Sequence, residues 1–132
     1  MPRTSTQPST KPSNAARTRS VKADPQEALV RILFELHEAL RKAYWSTPDE
    51  DAGDRLAALA DAVYAIYTVL NRGILTARSA EYERAKESMH AVNASLKATR
   101  DEIRAIVRNV EDASKVLAGI EKAITAAAGF FV

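Results

Sequence analysis

The chain has 132 residues, 46% of them hydrophobic, no cysteine and a formal net charge of +2. That length bounds one domain, and the missing thiols exclude disulfides and thiolate metal sites and fit a reducing compartment, so a cytoplasmic location is expected. Arg3, Lys11, Arg17, Arg19 and Lys22 all lie in residues 1–23, which hold no acid; subtracting those five charges from +2 leaves −3 on the rest, so a nucleic-acid partner is not expected.

Residues 1–23 also carry Pro2, Pro8 and Pro12 among many Ser and Thr, and Val21 is the only large apolar side chain after Met1. Such a segment cannot bury enough surface to offset its ordering entropy, so a disordered basic tail is expected, with a helical bundle or coiled-coil domain over 24–132. The N-terminus lacks the apolar stretch of a secretory signal, and export through a specialised system is the alternative role for the tail.

Asp24-Pro25 opens the first helix. Asp accepts from free backbone amides, Pro suits the first helical position, and Glu27 stands three residues after the cap. Leu29, Ile32, Leu33, Leu36, Leu40 and Ala43 keep helical spacing as far as about Trp45. Thr47-Pro48-Asp49-Glu50 repeats the punctuation with Thr47 as cap, and a second helix turns Leu56, Leu59, Ala60, Val63, Ile66, Tyr67 and Leu70 inward. Gly53 weakens its first turn by roughly 1 kcal/mol relative to Ala. Asn71-Arg72-Gly73 ends it, residues 74–78 connect, and Ser79 with Glu81 opens the third helix.

From Tyr82 onward one seven-residue pattern runs to the end of the chain. Its first row is Tyr82, Met89, Leu96, Ile103, Val110, Leu117, Ile124 and Phe131; its second is Ala85, Val92, Thr99, Ile106, Ala113, Ile120 and Ala127. No proline follows Pro48 and no glycine interrupts the pattern before Gly119. The pattern predicts one helix over 80–128, about 75 Å long. The fold class expected is therefore all-α: an antiparallel helical hairpin plus one long third helix, a three-helix bundle with a coiled-coil extension past the Trp45–Pro48 turn. Thr99-Arg100-Asp101-Glu102 has the form of a capping box, so a break near Thr99, giving a four-helix bundle, is the alternative. Small residues in the rows, among them Ala85, Ala113 and Ala127, suit antiparallel or multi-helix packing better than a parallel zipper.

The residues that carry chemistry form no constellation. His37-Glu38 opens like a zinc-protease helix motif, but Arg41 stands where the second histidine belongs. Glu87 and His90 have the spacing of di-metal bundles, yet the matching position before His37 is Phe34. Asp49, Glu50, Asp51 and Asp54 read as first-turn charges, and Tyr44, Trp45, Tyr64 and Tyr67 as packing with polar tips. No catalytic, cofactor-binding or metal-ligating residue is assigned, and no enzyme activity is expected. The flanks of the pattern become apolar toward the C-terminus, with Val107, Val116, Ala123, Ala128 and Phe130, so that half needs cover. The expected function is a non-enzymatic helix-mediated protein–protein interaction or assembly module, an adaptor or scaffold. Its interface would be Ile103, Ile106, Val110, Leu117, Ile120, Ile124 and Phe131, meeting a second copy or a partner helix. The alternative is a small membrane-associated helical effector, or a secretion or lysis component, acting through the uncharged C-terminal segment 126–132.

Overall fold

The computed structural model describes residues 24–131. The expected tail over 1–23 lies outside the described residues.

Four helices follow, each opened by a short polar side chain. In α1 (Pro25–Tyr44) the Glu27 N–H donates to the Asp24 carboxylate at 2.9 Å, with Pro25 in the first turn. In α2 (Glu50–Leu70) the Ala52 N–H donates to Asp49 at 3.0 Å. Thr47, expected as that cap, instead donates its hydroxyl back to the Ala43 carbonyl at 2.7 Å and helps to close α1. In α3 (Ala80–Ile106) Tyr82 N–H donates to Ser79 Oγ at 3.1 Å, and in α4 (Val110–Phe130) Asp112 N–H donates to Asn109 Oδ1 at 2.9 Å.

The helices alternate in direction around one core. α1 packs on α2 and α4, and α3 packs on the same two. Leu29, Leu33, Leu36, Leu40 and Ala43 form the inward stripe of α1 and are wholly buried. Burial of each large side chain there contributes on the order of 1.5–3 kcal/mol. Gly119 is what lets α4 lie close to α1: a Cβ placed on it would come within 3.0 Å of Leu36 Cδ1. Salt bridges strap the outer seams, Arg55 to Glu102 across α2 and α3 and Arg100 to Glu121 across α3 and α4. At the far end Gln26 pins the α2–α3 connection. Its Nε2 donates to the carbonyls of Leu70 and Gly73 at 2.8 and 2.7 Å, and its Oε1 accepts from Leu75 N–H at 3.0 Å.

The expected helix over 80–128 is thus two helices, and the break falls at 107–109 rather than near Thr99. Val107 (φ −97°, ψ 117°) and Asn109 (φ −77°, ψ 117°) leave the helical region. Three causes act together there. Asn109 caps α4, and Glu111 and Asp112 in its first turn complement the helix dipole. The Arg108 N–H, freed from the helix, donates to the Ser46 carbonyl at 2.8 Å. Above all, folding back lets α1 cover the apolar face of α4. Thr99 stays inside α3, half-buried, and the residues after it reach sideways: Arg100 to Glu121, Glu102 to Arg55.

The buried face also shifts across the break. In α3 it comprises Tyr82, Ala85, Met89, Val92, Leu96 and Ile103; in α4 it is Ala113, Val116, Ile120, Ala123 and Ala127. The second row of the seven-residue pattern points inward on both sides. The first row turns outward in α4, where Val110 is exposed and Leu117 and Ile124 are half-buried.

Candidate functional site

Of the five large apolar side chains exposed among the described residues, Trp45 and Val110 share the end of the bundle where two turns meet, whereas Ile74 stands on the α2–α3 connection and Phe34 and Tyr64 on α1 and α2. The α1–α2 turn runs through Trp45, Ser46, Thr47 and Pro48; the α3–α4 hinge is Val107, Arg108 and Asn109. Besides the Arg108 bond to the Ser46 carbonyl, Asn109 N–H donates to Ser46 Oγ at 3.4 Å. Val107 faces inward and closes the core, while Val110 is 71% exposed. Trp45 is 79% exposed and meets Tyr44 edge-on, with ring centroids 5.1 Å apart. Tyr44 in turn lies over Gly53, 3.5 Å from where a Cβ would sit. A cleft of about 550 Å³ between the turns is lined by Trp45, Ser46, Thr47, Pro48, Arg108 and Asn109. A wide apolar side chain held out by its own turn is the kind of group that anchors protein contacts.

The seven residues expected at a partner interface divide by environment. Ile103 and Ile120 are fully buried, and Phe131 is 8% exposed; all three serve the core of the single chain. Ile106, Leu117 and Ile124 are half-buried against that core, and Val110 alone stands in solvent. Trp45, expected from the sequence to pack at the close of the first helix, is instead largely in solvent. Its position at a proline-bounded turn, with no apolar residue at helical spacing beyond it, was the available signal.

The C-terminal aromatics pack within the chain. Tyr82 lies 5.8 Å from the Phe130 ring and 5.4 Å from the Phe131 ring, and its hydroxyl donates to the Phe130 carbonyl at 3.3 Å. Among the described residues no helix is long and apolar enough to cross a membrane.

The polar groups singled out in the sequence are engaged structurally. His37 Nδ1 lies 3.1 Å from the Ala60 carbonyl oxygen, which only accepts, so this nitrogen carries the proton. The ring lies 4.7 Å from that of Tyr64 at a 40° tilt, and Tyr64 leans on Tyr67 and through it on Phe34. Glu87 and His90 point to solvent on α3. Arg55 has its pKa raised, first by the hydrogen bond to Glu102 and then by that carboxylate's charge. A guanidinium is already charged at any working pH, so this marks a strap and not an acid–base centre. Compared with known protein families, curated proteins and solved structures, the chain finds no match.

Proposed function

We propose that the protein is a non-enzymatic helix-mediated assembly module, and that it meets a second copy of itself through the end of the bundle bearing Trp45 and Val110. The observation that carries this reading is the pairing of two large apolar side chains, 79% and 71% exposed, on adjoining turns. Burying them against a like surface is favourable, and a two-fold contact lets each patch serve as its own complement. The chemistry-bearing residues favour a contact role over a catalytic one, because the carboxylates of Asp24 and Asp49 cap helices and His37 bonds a helix carbonyl.

Trp45 is the chain's single tryptophan and so reports directly on this surface. Its emission is expected to shift to shorter wavelength, and its quenching by iodide to fall, as the full chain is concentrated. An emission spectrum and quenching constant that stay the same over the whole concentration range, at the values of an exposed indole, would refute the reading.

A further inference from the structure

We propose that the second copy is engaged by exchange of α4: residues 107–109 straighten, α3 and α4 run on as one helix, and each α4 packs on the other chain's α1. This rests on the assembly reading above and specifies its geometry.

The hinge is built for either state. It is three residues long and contains no glycine or proline, so Val107, Arg108 and Asn109 can each take helical angles at small cost. Few hydrogen bonds hold it shut, the Asn109 cap on Asp112 N–H and the two bonds to Ser46, beside the inward-packed Val107 side chain. Straightening replaces them with the ordinary i to i−4 ladder and places Arg108 four residues before Asp112, a favourable spacing of opposite charges. The row Ala85, Val92, Thr99, Ile106, Ala113, Ile120 and Ala127 is buried or half-buried on both sides of the hinge, so one continuous helix carries a shared inward row through it. Short hinges that join two packed elements are where exchange between copies is cheapest.

The direction of the helices then dictates the partner. α3 runs toward the hinge end, so its continuation leaves its own bundle there. The slot of α4 is refilled only if the other chain presents the same end, which makes the contact two-fold. The surface that α4 needs exists in the single chain: Leu36 of α1 facing Gly119. Leu117, Ile120, Ile124 and Phe131 become contacts between chains without any change in what they touch. The joined helix over 80–130 would span about 75 Å. The junction brings together Trp45 and Val110 from both copies, two side chains that the single chain leaves in water.

The chain has no cysteine, so one introduced pair is unambiguous. A Cβ at position 119 lies 3.6 Å from Leu36 Cβ, within the disulfide range of about 3.5–4.5 Å. The Leu36→Cys, Gly119→Cys full chain is separated by size, and each fraction is oxidised and run on a denaturing gel without reductant. The dimer fraction is expected to give a two-chain band and the monomer fraction a one-chain band. A dimer fraction whose disulfides all lie within single chains overturns exchange and leaves assembly standing; a chain that is monomeric at every concentration removes both. Because Leu36 is in the core, the hinge supplies a second measurement. Replacing Asn109 by Ala removes one cap per chain and should tighten dimerisation roughly tenfold or more, whereas two glycines inserted after Arg108 should weaken it severalfold. Dimerisation indifferent to both changes overturns the proposal.

Discussion

Single side chains set where each helix starts, and two of the four could be read in advance. Asp24 and Ser79 cap as their spacing requires. Asp49 caps α2 because Pro48 holds Thr47 outside the helix and leaves its hydroxyl to bond backwards. Gly53 occupies the first turn of α2 with room to spare, since a Cβ there would meet the Tyr44 ring at 3.5 Å, an ordinary contact. Gly53→Ala is therefore expected to stabilise the protein by about 0.5–1 kcal/mol, seen as a higher urea midpoint at unchanged slope; a lower midpoint would mean that Tyr44 needs that space. Asn109 was the cap least visible in the sequence. Thr99 offers the more complete capping box, with Glu102 three residues on. In the fold Glu102 binds Arg55 instead, a partner 47 positions away that local spacing does not reveal.

At the level of elements, α1, α2 and the start of α3 were legible because each carries its own cap and a single inward stripe. The second half of the seven-residue pattern was not, for a physical reason. α4 has two adjacent apolar rows: Val110, Leu117 and Ile124 on one, Val116 and Ala123 on the other. Sequence periodicity cannot choose between neighbours a hundred degrees apart when both are greasy. The choice is made by α1, through Gly119 meeting Leu36, a complementarity between residues on different helices. That contact is close enough to be tested by size. Gly119→Leu should force α4 away from α1 and cost about 1–3 kcal/mol by overpacking, despite the gain in helix propensity. A chemical-denaturation curve shows it; a variant as stable as the parent would mean that α4 does not lie on α1 at this distance. The interface residues of the sequence reading follow the same logic. Ile103 and Ile120, expected at a partner interface, are covered by the chain itself, which folds back over them.

On the scale of the whole molecule, the surplus apolar helix is sheltered within the single chain, and the proposed exchange offers it an equivalent shelter. In the single chain α4 is covered by its own α1, and the hinge end keeps Trp45 and Val110 in water. In the proposed pair α4 would be covered by the other chain's α1, and the same two side chains would be buried at the junction. The contacts of α4 are common to both states, so the balance depends on the hinge, on the junction and on concentration. The Ser46 bonds and the Asn109 cap favour the closed chain; the apolar end favours the pair. The most direct test of this account is the mass of the full, unmodified chain by light scattering across a wide concentration series. One chain, 14.4 kDa, is expected at high dilution, rising toward twice that mass on concentration. A mass that remains that of one chain throughout would contradict it.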